Sequence, residues 1–308
     1  RLAATTSRSA RLGEGPGYKV FAVRWPTIGD VEWEGLLMVP AQEPLADVVA
    51  VPDADHTPEM IAGLVEGVPA ESQYARRLVE SGCRVLVPAL IDRGEQRERA
   101  AMLTRREFLY RAAFEMGRHL VGYEVQAVLA GVDHFAGERE RSARKIGVIG
   151  WGQGGQGALC AAALDPRIDA ACVSGYFDSR QAIWEETLDR NVFGFLEQFG
   201  DAELASLITP RALVIEAARG AEFEVAPGAR GGPGRLTTAK LESVRSEFER
   251  AKRLVAGLNP PARMELVESG GGQGAFGSAP ALSAFLTAVA PGAALAPAGP
   301  GPKRLVDV

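Results

Sequence analysis

Apolar residues alternate or run together from Val20 to Trp25 and from Val31 to Val39, on either side of a Pro-Thr-Ile-Gly-Asp break. This is the pattern of an opening antiparallel hairpin. Asp47 to Pro52 is a short apolar run ending in proline, as a strand buried on both faces does, and a polar turn, PDADHTPEM, follows it. Ala70 to Ser81 has helical spacing and stops at Gly82; Cys83 to Leu90 is a second β-branched run. A charged loop, Asp92 to Arg99, leads into a long helical region from Thr104 to Phe135. Val121, Val125, Val128, Leu129, Val132 and Phe135 fall on one stripe of it, the signature of a helix lying on a sheet.

The rhythm then repeats. Ile146 to Ile149 is an apolar run that meets a glycine-rich turn and an alanine-rich helical segment, and Ile168 to Phe177 supplies the next strand. Asp178 to Ile208 is amphipathic, with Trp184, Val192, Phe193, Phe195 and Leu196, and reads as a helical excursion over the edge of the sheet. Pro210 to Ala217 returns to strand character, and a Gly- and Pro-rich loop, Ala226 to Gly234, follows. Thr238 to Leu258 is a helix, ARMELVE a strand, and Pro280 to Val289 a closing helix. The pattern predicts an α/β fold of about eight strands, the early ones antiparallel and the later ones parallel, with helices on both faces. Residues 18–290 form the expected domain; residues 1–17 read as an N-terminal extension or linker, and the Ala/Pro/Gly-rich residues 291–308 as a linker or loose tail.

Composition narrows the partners. With 308 residues, of which 46% are hydrophobic, the chain can bury a substantial core. A net charge of -5 with mixed signs throughout argues against nucleic acid or an anionic membrane. No apolar stretch has the length of a membrane span, so the chain reads as soluble. Cys83, Cys160 and Cys172 lie within predicted strands or helices and read as buried free thiols, without metal-site spacing. The chain begins at Arg1 with no signal-peptide apolar core, which suggests a processed portion of something longer. The compartment is left open, a secreted or periplasmic one included, and no cofactor is expected.

The turn Gly150-Trp151-Gly152-Gln153-Gly154-Gly155 is where the chemistry should sit. Read as G-x-G-x-x-G it is a dinucleotide fingerprint, but that needs the first strand of a βαβ unit and an acidic residue roughly 20 positions on. Four or five strands precede this turn, and Asp178 lies too far beyond it. Read as G-x-S-x-G it is a nucleophile elbow with glycine in place of serine.

The second reading extends along the chain. In chain order, GRHLVGYEVQAVLAGVDHF, VIGWGQGGQGAL, LDPRIDAACVSGYF, ITPRALVIEA and GGGQGAFGSAPALSAFL resemble the α/β-hydrolases, and more closely the dienelactone hydrolase and acetyl-xylan-esterase-like branch. That resemblance implies a fold with an elbow after the fifth strand, an acid after a later strand and a histidine after the last.

Carried over residue by residue, the resemblance implies a degenerate triad. Gly150 and Gly154 take the flanking glycines and Gly152 the place of the serine. Gln273 is nearest to the histidine position, and glutamine cannot shuttle a proton near neutral pH. Glu216, Glu222 and Glu224 are available at the acid position, with Glu216 best placed to face a pocket. His56, His119 and His134 all precede the elbow; His119 and His134 read as packing or surface residues of the long helix.

Asp53, Asp55 and His56 follow the third strand, where the resemblance places the oxyanion loop. Together with Trp151 and Gln153 they should border the same crevice. Two carboxylates and an imidazole could ligate a metal or activate water, although Asp-x-Asp in a turn is also ordinary backbone capping. Two functional readings follow. One is a non-catalytic module that binds a small molecule or carbohydrate, or is a structural domain among others in a longer parent chain. The other is an esterase-like hydrolase of an ester or carbohydrate ester, with unconventional groups drawn from Asp53, Asp55, His56, Glu216 and Gln273, with or without a metal.

Overall fold

A computed structural model describes residues 3–4, 11–98, 101–225 and 231–305. Nine strands carry the central sheet: β1 (Arg11–Gly15), β2 (Tyr18–Ile28), β3 (Val31–Pro40), β4 (Asp47–Val51), β5 (Arg84–Pro88), β6 (Ile146–Trp151), β7 (Ala170–Ser174), β8 (Ala212–Ala217) and β9 (Arg263–Glu268). Across the sheet the order is β9-β8-β7-β6-β4-β5-β3-β2-β1. Ala3–Ala4 pairs with β2 and Lys303–Arg304 with β1. From β5 to β9 all neighbours are parallel, whereas β1, β2, β3 and the β3–β5 pair are antiparallel. The predicted architecture is present: antiparallel entry, parallel body, helices on both faces.

Burial explains the strand sequences. Every residue of β4, β6, β7 and β8 is buried, which is why these strands read as continuous apolar runs. The β9 edge alternates charged and apolar residues because its outer side meets water. One face of the sheet is covered by α1 (Pro58–Ala62), α2 (Tyr74–Glu80) and α8 (Ala279–Val289), whose Leu78, Leu282 and Phe285 pack on Val48 and Val85. The other is covered by α4 (Leu120–Ser142), α5 (Gln153–Leu164), α6 (Asp201–Ile208) and α7 (Leu241–Leu254), with Val128, Leu159, Ala205 and Phe248 in its core.

Several elements differ from the sequence expectation. The long helix is two helices, α3 (Arg105–Glu115) and α4. Gly117 breaks it with φ +71°, a conformation that costs glycine little, so His119 sits in the break and not within a helix. Within the charged loop, Glu95–Glu98 pairs with Ala101–Thr104; residues 99 and 100 lie outside the described residues. Three short 3₁₀ turns occupy 180–197, and only Asp201–Ile208 of the expected excursion is α-helical. Part of the Gly- and Pro-rich loop, residues 226–230, lies outside the described residues, and its far end pairs with Phe223–Val225.

The two flanking segments contact the domain. Residues 11–15 of the expected extension are β1. The C-terminal tail crosses α2, where Arg76 donates to the Gly299 carbonyl at 2.7 Å, before Lys303 and Arg304 pair with Glu14 and Gly13.

Candidate functional site

Strand β6 ends at Trp151 and α5 begins at Gln153, leaving Gly152 alone at the bend with φ 57° and ψ -117°. Side chains rarely adopt such a backbone, and a nucleophile elbow is one of the places where they are forced to. The flanking glycines let the helix abut the sheet. A Cβ on Gly150 would lie 2.1 Å from the Gly154 carbonyl, and one on Gly154 would lie 2.1 Å from the Val51 carbonyl.

The space in front of Gly152 is filled. A Cβ there would meet Asp53 Oδ2 at 2.5 Å and the Ala221 methyl at 3.2 Å. The same Asp53 Oδ2 accepts the backbone N–H of Gln153 at 2.7 Å. In a serine α/β-hydrolase the N–H after the nucleophile is an oxyanion donor. Here the N–H that follows Gly152 holds a carboxylate belonging to the chain itself.

Asp53 is buried and fully engaged. Arg93 donates from Nη1 to Oδ1 at 2.5 Å and from Nη2 to Oδ2 at 3.2 Å, and the Asp55 N–H donates to Oδ1 at 3.1 Å. Burial alone would raise the carboxyl, but Arg93 and the two backbone donors hold it at about 2. Arg93 Nη1 also reaches Asp55 Oδ2 at 2.8 Å, so the guanidinium occupies the place between the two carboxylates that a cation would take. Among the described residues no group of three or more His, Cys, Asp or Glu side chains could hold a metal ion.

A chain of buried charge continues behind the elbow. The Gln153 side chain donates to Gln156 at 2.8 Å and to Glu124 at 3.3 Å, and accepts from Arg190 at 3.2 Å. Arg106, completely buried, binds both Glu124 oxygens at 2.6 and 3.0 Å and Asp189 at 2.5 Å. Sequence reasoning missed Arg93, Arg106, Glu124 and Arg190. The only available signal was the presence of charged residues inside otherwise helical or loop patterns, where a solvated surface is the usual reason.

The remaining expected groups are dispersed. Glu216, at the end of β8, accepts the N–H groups of Gly277 and Ser278 at 2.8 and 2.9 Å and the Ser174 hydroxyl at 2.5 Å. Its carboxylate thus anchors the start of α8. Gln273 is exposed on the loop before α8, Glu222 accepts the Thr238 hydroxyl at 2.8 Å, and Glu224 is exposed in the Phe223–Val225 strand. His134 lies on α4 beside Phe135, away from the elbow, and His119 packs on Tyr110.

His56 does reach the crevice. Its ring stacks on Trp151 with centroids 4.8 Å apart, and Trp151 stacks on Phe276 at 4.0 Å. Trp151 is fixed by its Nε1–H, which donates to the Arg219 carbonyl at 2.8 Å. Burial holds the imidazole below its ordinary range, against the pull of Asp53 and Asp55. His56, Trp151, Phe276, Ser72, Arg219 and Gln273 line a cavity of about 460 Å³.

Strand order, the positive-φ bend in the middle of the sheet and the loop before the last helix together define an α/β-hydrolase. The chain belongs to the dienelactone hydrolase family, the match running from residue 35 to residue 192. No curated protein matches it by sequence. Among solved structures it is similar to a candidate acetyl xylan esterase of Bacteroides fragilis, with a TM-score of 0.63 and 13% identity over 87% of this chain and 69% of that one. It is also similar to the glucuronoyl esterase of Solibacter usitatus, with a TM-score of 0.53 and 12% identity over 87% and 81% of the two chains. A promiscuous esterase from a marine bacterial metagenome gives a TM-score of 0.54 and 12% identity over the same shares. At such identities the likeness is one of fold. No helix among the described residues is long and apolar enough to cross a membrane.

Proposed function

We propose that this chain is an esterase-fold domain that does not run the serine mechanism and instead binds a small molecule or carbohydrate beside the elbow, as one domain of a larger protein. The carrying observation is the Asp53 carboxylate on the Gln153 N–H, in the space that a side chain at Gly152 would enter. An acyl-enzyme route requires an attacking atom, a proton carrier and an open oxyanion hole. Gly152 has no attacking atom, and the Gln273 carboxamide does not shuttle a proton near neutral pH. An anion already resting on the donor repels the negative charge that acyl transfer would build there.

The crevice retains the features of a binding site. Its volume lies in the range of small-molecule pockets, and the stacked rings of His56, Trp151 and Phe276 offer an apolar wall for a sugar face or an aromatic ring. Ser72, Gln273 and Glu222 place polar groups around that wall.

A second reading is favoured by one observation. His56 lines the cavity, and burial lowers its pKa, which favours the neutral ring that can accept a proton. In that case the chain is an esterase in which His56 activates water. Hydrolysis of p-nitrophenyl acetate, with and without EDTA, alongside xylo-oligosaccharide titrations followed by Trp emission, separates the two. The binding reading expects saturable emission changes and no turnover above buffer; turnover that disappears in His56→Ala establishes the hydrolase instead.

A further inference from the structure

A second cavity, of about 580 Å³, opens on the outer surface of the helical layer formed by α4, α5 and α6. Val121 of α4, Ala163 of α5 and Leu204 of α6 form its walls, and Val192 and Phe195 from the 3₁₀ segment roof it. It is separated from the elbow crevice by the hydrogen-bonded layer of Gln153, Gln156 and Arg190. Nothing in the reading of the elbow uses this cavity.

Its lining carries a charge imbalance. Arg180 is neutralised by Asp201 at 3.1 Å and Glu186 at 2.9 Å, and Arg190 shares the same Glu186 at 3.0 Å. Arg118 lies at the exposed mouth, over the ring of Tyr123, and makes no ion pair among the described residues. Arg180 and Arg190 are thus paired, by Asp201 in the lining and Glu186 outside it, and Arg118 is left as the positive charge at the opening.

We propose that this cavity binds an amphipathic anion, an alkyl or aryl carboxylate whose apolar body lies between α4, α5 and α6 and whose carboxylate meets Arg118 at the mouth. The volume suits a drug-sized molecule, and the apolar walls supply affinity while the few polar groups at the mouth fix orientation. A cationic amphiphile of the same length meets the wrong charge, and a neutral one leaves Arg118 without its partner.

The test uses the full chain, with 1-anilinonaphthalene-8-sulfonate as fluorescent reporter and decanoate, decan-1-ol and decyltrimethylammonium as competitors. Decanoate should displace the reporter saturably and better than either competitor. Arg118→Glu, a change at an exposed side chain, should weaken decanoate by roughly tenfold while leaving decan-1-ol unchanged. Ala163→Trp fills the cavity from a partly exposed position and should abolish displacement with the circular dichroism spectrum intact; Leu207→Glu, at the exposed rim, provides a second blocking change if the first unfolds. Equal displacement by all three amphiphiles overturns the proposal. So does reporter binding that survives both blocking variants, or a concentration-dependent dimer whose formation alone removes the reporter.

Discussion

Asp53 and Gln153 stand 100 residues apart in the chain, and the carboxylate of one rests on the backbone N–H of the other at 2.7 Å. The N–H that follows Gly152 is thereby occupied in the folded molecule. Placing a nucleophile at Gly152 is consequently a steric problem as well as a chemical one.

Gly152→Ser should leave the chain unreactive toward a fluorophosphonate and destabilise it by about 1–3 kcal/mol, because the new Cβ collides with Asp53 at a positive φ. Adding Asp53→Gly should recover part of the collision term in a double-mutant cycle read by urea melts. Additive single and double effects would mean that the carboxylate does not restrict this position.

Arg93→Ala strips a buried carboxylate of its counter-charge and should cost about 3–5 kcal/mol. Removing both partners, in Arg93→Ala with Asp53→Ala, should cost less than Arg93→Ala alone. Chemical denaturation of the three variants checks the order.

Asp53 titrates at about 2 in the fold, below its ordinary 3.8. A depressed carboxyl contributes stability that is fully present above about pH 4 and is lost as pH falls toward 2. The contribution at neutral pH is about 2 kcal/mol on this linkage. The stability of Asp53→Asn, followed by urea midpoint from pH 6 to pH 2.5, should fall less steeply than that of the parent chain; parallel curves would refute the assignment.

Glu216→Ala removes the acceptor of two backbone N–H groups at the start of α8 and of the Ser174 hydroxyl, and should cost about 2–4 kcal/mol. Hydrogen exchange should quicken first at Gly277 and Ser278. Unchanged protection there would show that α8 is held by its apolar face alone.

Most of the architecture was legible because buried parallel strands announce themselves as apolar runs, and because the glycines at 150 and 154 have a local steric reason. The bend at Gly152 could be read from six consecutive residues. What occupied the elbow could not: Asp53 lies on a turn whose Asp-x-Asp pattern has an ordinary local explanation, and its partner Arg93 sits in a charged loop that gives no periodic signal. Glu216 ends an apolar run and reads as a group facing a pocket, whereas in the structure it is buried on the N–H groups of Gly277 and Ser278, main-chain partners that no residue pattern reveals. The split at Gly117 was hidden because the apolar stripe from Val121 onward is continuous with helix-forming residues on both sides of it.

The short pairing of Lys303 and Arg304 with β1 bears on how copies of this chain meet. It covers part of one margin of the sheet, while the opposite margin, β9, interposes Arg263, Glu265 and Glu268 between its apolar residues. Strands added from another molecule therefore find one border partly taken and the other charged. Removing the segment beyond residue 296 would uncover Gly13 and Glu14 and invite edge-to-edge aggregation, visible as light scattering during refolding.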